Sequence, residues 1–215
     1  MREHAIMRVV LHVRRLIRLI GCGLALVPAT WAGAQTTTEP AGGVLLTGTL
    51  SFSAHATVGD FTGTTTTVTG AWTGDLSAAS GWVEAPVATL VTRNDHRDRD
   101  LRASMEVDKY PTMRFDLARV APASLGARPD DTVSVTLYGT LAIHGVTRAV
   151  QIPASTVRDG DTIHVRSSFP LDLGDYHIGG LTKMIGLLRM DPKIVVHVDL
   201  RFLATSSLKA ATSHP

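Results

Sequence analysis

Apolar and polar residues alternate strictly along one stretch in the second half of the chain. The apolar positions form two runs: Val133, Val135, Leu137, Leu141 and Ile143, then Val146, Val150, Ile152 and Ala154. This spacing gives a strand one buried and one exposed face. Only His144 and Gly145 separate the runs, and both residue types tolerate the positive φ that a tight turn needs. The pattern predicts an antiparallel β-hairpin.

The same alternation predicts six further strands, which brings the total to eight. Their apolar positions are Leu46, Leu50, Phe52 and Ala54; Val68 and Trp72, in a threonine-rich strand that begins at Phe61; Val83, Val87 and Val91; Met113, Phe115 and Leu117; Ile163, Val165, Phe169, Leu171 and Leu173; and Ile194, Val196, Val198, Leu200 and Phe202. Eight such strands indicate an antiparallel sandwich or a closed barrel. We favour the barrel, because pairing the long first and last strands removes both exposed edges.

Two segments break the strand pattern. Residues 94–107 are charged, begin with helix-capping residue types and place Leu101 and Met105 four apart, which predicts a short helix. Residues 176–190 contain Gly179-Gly180 followed by irregularly spaced apolar residues, which indicates a loop with a helical turn over one barrel end. The predicted fold is all-β: an eight-stranded antiparallel barrel with one or two short helices.

The first 34 residues have the composition of a secretory signal peptide. Their arginines are Arg2, Arg8, Arg14, Arg15 and Arg18. A short apolar run at residues 19–27 and the small residues Ala32-Gly33-Ala34 follow, which predicts cleavage before Gln35. The run is too short for a membrane anchor. Acylation at Cys22, in a lipoprotein-type box, and twin-arginine export are the alternatives. We expect an exported, periplasmic protein with a linker at residues 35–43, a barrel domain at 44–204 and a polar tail at 205–215.

Removal of this leader changes both the charge and the cysteine content. The whole chain of 215 residues has 21 Lys+Arg and 19 Asp+Glu, for a formal net charge of +2. The leader holds five of the basic residues and one acidic residue, so 16 and 18 remain, a net charge of −2. No basic patch indicates a nucleic-acid partner. Because Cys22 is the one cysteine, the mature chain has neither a disulfide nor a thiolate nucleophile.

Candidate catalytic and metal-binding residues are few. Residues 95–100 alternate in charge, and we interpret them as a solvated helix in which Asp98 pairs with Arg102. The seven histidines outside the leader have no zinc-type spacing, and His55 with His177 is the one pair retained as a metal candidate. No G-x-S-x-G motif occurs. We therefore expect no enzymatic activity and no cofactor, with a metal-dependent hydrolase as the least favoured alternative.

Several segments, taken in order, resemble the YceI-like family of exported lipid-binding proteins. They lie at residues 52–55, 58–63, 92–94, 97–98, 101–102, 106–112, 115, 139–141, 143–148 and 150, within a resemblance that spans about residues 46 to 203. The chain departs from the family at Asp100, where a histidine is frequent, and at Met105 and Val107, where aromatic residues are frequent. The resemblance implies a lipocalin-like barrel that holds an isoprenoid or a fatty-acid derivative in its lumen.

An eight-stranded barrel is either filled by its own side chains or holds one small ligand. Aromatic residues make up 5% of the chain, and small residues occupy the candidate inward positions Ala54, Thr64, Thr66, Ala85, Gly139 and Ala154. This favours a cavity that sequesters or transports a long-chain lipid. Its predicted lining residues are Phe52, Phe61, Val68, Trp72, Met105, Phe115, Leu137, Leu141, Phe169 and Leu171.

The main alternative is a filled core in a stress-protective or interaction module. In that case the small residues are present because a tightly curved barrel wall needs them. Two further partners stay open, a membrane and a second copy of the chain. Apolar residues at 181–188 either plug the barrel end along the ligand's path or make transient contact with a membrane, and the barrel either stays monomeric or forms a homodimer.

Overall fold

The computed structural model describes residues 42–57, 59–74, 78–122, 132–179, 182–183 and 188–204. The predicted signal peptide, including Cys22, and the predicted polar tail lie outside these residues. The strands are β1 Gly42–Ala56, β2 Gly59–Thr65, β3 Thr69–Thr73, β4 Ser80–Pro86, β5 Thr112–Pro122, β6 Val133–Ile143, β7 Val146–Asp159, β8 Thr162–Asp172, β9 Thr182–Lys183, β10 Leu188–Arg189 and β11 Lys193–Ala204. Helix α1 spans Asp95–Ser104, and 3₁₀ turns span Val87–Thr89 and Leu173–Tyr176. No helix in this part of the chain has the length and apolar character needed to cross a membrane.

Nine of the strands form one antiparallel sheet that closes on itself. Its order is β11-β8-β7-β6-β5-β4-β3-β1-β2, and β1 also pairs with β11. Strands β2 and β3 lie along the same edge of β1 in one continuous register, with Thr65 opposite Leu50 and Trp72 opposite Gly43. Together they fill a single position in the barrel wall. The predicted eight-stranded antiparallel barrel, closed by its first and last strands, is confirmed.

The predicted second strand is interrupted, and the interruption changes which side chains face inward. Phe61 pairs with Ala54, and Trp72 pairs with Gly43. Because these two aromatic residues lie an odd number of positions apart, an unbroken strand would place them on opposite faces. The break at residues 66–68 brings both to the inner face.

A bulge in β1 corrects a second prediction. The β1–β11 register shifts between Leu45 and Thr47, which leaves Leu46 without a partner. The bulge turns Leu46 outward, where it is 55% exposed, so the prediction that it shares the face of Leu50 is wrong. The third predicted strand also ends early: Val87 lies in a 3₁₀ turn and Val91 is 46% exposed.

The predicted hairpin and helix are both present. Strands β6 and β7 pair up to Ile143 and Val146, around a turn in which His144 has φ 52° and Gly145 has φ 75°. Helix α1 begins after Asn94, whose side chain accepts a hydrogen bond from the Arg97 backbone N–H at 3.0 Å.

The predicted exposed ion pair of Asp98 with Arg102 is wrong. Asp98 is only 6% exposed, because the first turn of α1 directs it at the segment that precedes the helix. There its carboxylate accepts hydrogen bonds from the backbone N–H of Thr92 at 2.8 Å and from the Thr92 hydroxyl at 2.6 Å. The Asp98 carboxylate therefore anchors the start of the helix to the segment that precedes it.

The 3₁₀ turn beside the segment at 176–190 precedes it rather than lying within it, and the described part of the segment contains two short strands. The 3₁₀ turn ends at Tyr176, and β9 pairs with β10 as a small hairpin, which the irregular apolar spacing did not predict. Backbone bonds tie this segment to the end of β1, from Thr57 N–H to the Arg189 carbonyl at 2.9 Å and from Asp191 N–H to the His55 carbonyl at 2.9 Å. Residues 180–181 and 184–187 lie outside the described part.

Candidate functional site

The barrel encloses a cavity of about 790 Å³ between two clusters of buried side chains. One cluster lies at the end closed by α1, which we call the helix end, and includes Met105, Ile143 and Tyr176. The other cluster, at the opposite end, consists of Ala79, Val120 and Val135. The volume falls within the range of about 300–1,000 Å³ that is typical of small-molecule sites. The barrel's own side chains do not fill its centre.

All ten side chains predicted to line a lumen do line this cavity. They are Phe52, Phe61, Val68, Trp72, Met105, Phe115, Leu137, Leu141, Phe169 and Leu171. Nine of the ten, all except Met105, are only half-buried although they lie on the inner wall. Inward side chains that border empty space lack partner atoms on one side and forfeit dispersion contacts. The prediction that they contact a ligand is separate from their position, and it stays a prediction.

Glycines in the wall allow aromatic rings to lie flat against it. Gly63 faces Phe52 across the β1–β2 pair, and a Cβ on Gly63 would lie 2.3 Å from the Phe52 ring. A Cβ on Gly139 would lie 2.9 Å from the Phe115 ring and 2.1 Å from the Asp116 carbonyl oxygen. A side chain at Gly63 would force the Phe52 ring to move, and one at Gly139 would clash with the strand backbone as well as with the Phe115 ring. These two positions therefore require glycine for the rings to pack as they do.

One pair of predicted inward positions is shifted by a residue. The sequence suggested that Thr64 and Thr66 point inward, but Thr66 is exposed and Thr65 is buried. The Thr65 hydroxyl lies 2.6 Å from the Thr89 hydroxyl, which satisfies both groups at the edge of β2. A threonine-rich run offers no apolar positions from which its phase can be read, so the sequence carried no signal for this.

Three segments meet at His144 on the helix end. His144 is 8% exposed, and its Nδ1 lies 3.1 Å from the Tyr176 carbonyl oxygen. Because a carbonyl oxygen only accepts, Nδ1 carries the proton and donates it. The His144 Nε2 lies 3.6 Å from Glu106, and the ring packs edge-on against Tyr110 with centroids 4.7 Å apart. Burial raises the pKa of Tyr176 above its ordinary value.

Polar side chains line the cavity at the helix end, and the sequence analysis did not single them out. They are Thr57, Asn94, Arg97, Asp100, Ser104 and Arg189. The guanidinium of Arg97 lies 4.1 Å from the centroid of the Phe61 ring, and that ring packs edge-on against Phe52 at 6.0 Å. The spacing of Arg97, Leu101 and Ser104 on one helix face was the available signal. The charged character of the segment concealed it.

The structure does not assemble a metal site from the candidate histidines. The Nδ1 of His55 lies 2.5 Å from an Asp60 carboxylate oxygen, and His177 ends the 3₁₀ turn with φ 55°. Among the described residues, no group of three or more His, Cys, Asp or Glu side chains is placed to hold a metal ion. On the outer wall, His164 donates through Nε2 to Asp199 at 2.6 Å, which lowers the pKa of Asp199, and Arg166 adds to this effect.

Comparison with known proteins places this barrel among others of the same shape. The family model of the YceI-like domain matches residues 46–202. The crystal structure of BcnA from Burkholderia cenocepacia superposes with a TM-score of 0.61 at 14% identity, over 72% of this chain and 95% of that one. A polyisoprenoid-binding domain from Saccharophagus degradans, implicated in plant cell wall breakdown, superposes with a TM-score of 0.65 at 17% identity, over 75% and 98%. At such identities the likeness shows the fold. A comparison with curated protein sequences finds no match.

Proposed function

The chain belongs to the YceI-like family, and we propose that it binds one long-chain lipophilic molecule, an isoprenoid or a fatty-acid derivative, inside its barrel. The observation that carries this proposal is the apolar cavity of about 790 Å³ at the barrel centre. The polyisoprenoid-binding description of the Saccharophagus degradans domain supports it, since that domain has the same fold.

The free energy of burial indicates which molecules are suitable. Each CH₂ group removed from water contributes about 0.8 kcal/mol, so ten of them contribute roughly 8 kcal/mol. That corresponds to a Kd of about 1 μM before the cost of association, which is roughly 4 kcal/mol or more. Chains well over ten carbons long are therefore needed for tight binding through burial alone. The apolar middle of the cavity, with Phe115, Leu137 and Phe169, supplies the wall for such a chain.

We further propose that the barrel works in the periplasm, where it sequesters its ligand or carries it between membranes. The basic leader, the apolar run and the Ala32-Gly33-Ala34 motif support export. Fractionation of cells that express the full chain tests this step. We expect the protein in the periplasmic fraction, with Gln35 as its first residue. Recovery of the uncleaved chain from the cytoplasm would contradict export and leave the binding proposal intact.

A chain-length series tests the binding proposal. Delipidated protein is titrated with saturated fatty acids from about eight to about eighteen carbons. We expect affinity to rise about fourfold per added CH₂, the equivalent of roughly 0.8 kcal/mol, and to level off once the chain exceeds the cavity. Affinity that does not depend on chain length, or no binding by any chain, would contradict burial in the lumen.

A further inference from the structure

We propose that the ligand carries an anionic headgroup, a carboxylate or a phosphate, held at the helix end by Arg97 and Arg189. This inference rests on the proposed function, because it concerns the headgroup of the molecule whose chain fills the cavity. Both arginines line the cavity, Arg97 from α1 and Arg189 from β10.

Neither arginine forms an ion pair with a carboxylate among the described residues. Other arginines of the barrel do: Arg114 lies 2.8 Å from Asp116, Arg148 lies 3.2 Å from Asp175, and Arg166 lies 3.0 Å from Asp199. Arg97 instead stacks on the Phe61 ring. Stacking uses the flat face of the guanidinium, so the N–H groups along its edge keep their capacity for an acceptor.

Backbone contacts bring Arg189 to the same end of the cavity. Its N–H donates to the Thr57 hydroxyl at 3.2 Å, and its carbonyl accepts from the Thr57 backbone N–H at 2.9 Å. Thr57 directly follows β1, three residues after Ala54, the strand partner of Phe61. Asp100 lines this end as well and has an interaction partner of its own. Among these three cavity-lining side chains, the two guanidinium groups outnumber the one carboxylate.

A carboxylate or a phosphate matches this arrangement better than a neutral group does. Guanidinium groups bind both anions through paired, charge-assisted hydrogen bonds. Such pairing gains strength where the local dielectric is low, and Phe52 and Phe61 provide apolar wall beside the half-buried Arg97. At the opposite end of the cavity Arg158 donates from Nε to the Gly160 carbonyl at 3.0 Å, so its guanidinium already has an acceptor. This difference favours the helix end as the headgroup site and makes Arg158 a matched control.

Three ligands with the same sixteen-carbon tail test the inference: palmitate, hexadecyl phosphate and methyl palmitate, the neutral ester. Each is titrated into delipidated wild-type protein and into the variants Arg97→Gln, Arg189→Gln and Arg158→Gln. We expect the wild type to bind at least one of the anions about 10- to 100-fold more tightly than the ester. We expect Arg97→Gln and Arg189→Gln each to lose about tenfold of that preference without changing ester affinity, and Arg158→Gln to retain it.

The ester serves as the internal control for folding, because it needs the cavity but not the arginines. A preference for hexadecyl phosphate over palmitate, or the reverse, would support the inference and identify the headgroup. Equal binding of acid, phosphate and ester by the wild type would overturn it while leaving the carrier function standing. Loss of the preference in Arg158→Gln would also overturn it. Failure of all three ligands to bind would instead overturn the proposed function.

Discussion

Val165 offers a direct way to ask whether the barrel centre is vacant. It lies in the middle of β8, opposite Leu200 in β11 and Thr156 in β7, and its half-buried side chain lines the cavity. It is not among the side chains that pack against either buried cluster. The substitution Val165→Trp therefore places a large ring in the lumen.

The sign of the stability change distinguishes a vacant centre from a packed one. A buried tryptophan covers roughly 200 Å², about 80 Å² more than valine, and at about 25 cal/mol per Å² this stabilises the fold by roughly 2 kcal/mol. Overpacking of a filled core costs about 1–3 kcal/mol instead. We therefore expect Val165→Trp to unfold at higher urea concentration than the wild type when both are free of ligand.

Urea unfolding of delipidated protein, followed by palmitate titration, measures both consequences. The matched control is Val195→Trp on the outer face of β11, where Val195 is 40% exposed; we expect a change within about 0.5 kcal/mol and unaltered binding. Val165→Trp should lower palmitate affinity by about tenfold or more, because the ring occupies the space for several CH₂ groups. A loss of about 1–3 kcal/mol in stability would refute the vacant lumen.

Three further outcomes follow from the structure. Leu141→Asp puts a charge into the lumen wall and should lower the free energy of unfolding, measured in urea, by about 3 kcal/mol or more. The same charge at the neighbouring outward position, Thr140→Asp, should lower it little. Equal effects would mean that the faces of β6 are assigned wrongly. His144→Val places a β-branched residue at φ 52° and removes the hydrogen bond to Tyr176, so it should lower the free energy of unfolding by about 2–3 kcal/mol. His144→Asn should lower it clearly less, because asparagine tolerates that backbone conformation. Equal melting temperatures for the two variants would contradict this. The hydrogen bond from His164 lowers the pKa of Asp199 below its ordinary value of 3.8, so the stabilisation by the Asp199 carboxylate is present above that pH and is lost as the pH falls through the lowered pKa. Between neutral pH and about pH 3 the urea unfolding midpoint should therefore fall less for Asp199→Asn than for the wild type, by a small amount because the carboxylate is half exposed. Identical acid profiles for the two proteins would exclude this contribution.

Local alternation predicted the strands because side-chain phase in a strand depends mainly on neighbouring residues. The hairpin around His144 and the phase of Leu137 and Leu141 were predictable on this basis. The bulge at Leu46 was not, because it arises in the pairing of β1 with β11, which lies far away in sequence. The break at residues 66–68 was not, because a threonine-rich run carries no apolar phase. A bulge or break of this kind reverses which residues beyond it in the strand point inward and which point outward. Phe61 and Trp72 both face the lumen only because of the break between them.

The apolar part of the site was predictable, and its polar end was not. An inward strand position is apolar whether it contacts a ligand or a packed core. The alternation of apolar residues was therefore enough to predict the ten lining residues. An arginine on a charged helix looks the same in sequence whether it faces water or a cavity. Only the placement of α1 against Phe61 distinguishes Arg97 from its neighbours. Asp98 was misassigned for the same reason, since its partner Thr92 precedes the helix.

Mass spectrometry of gently purified protein under native conditions tests the central claim most directly. We expect one bound molecule per barrel, visible as a mass shift that extraction with organic solvent removes. Reloading the extracted protein with an acyl or prenyl chain should restore the shift and raise the melting temperature. A native mass that always equals that of the bare polypeptide, with no thermal gain from any added chain, would contradict a lipid-holding lumen.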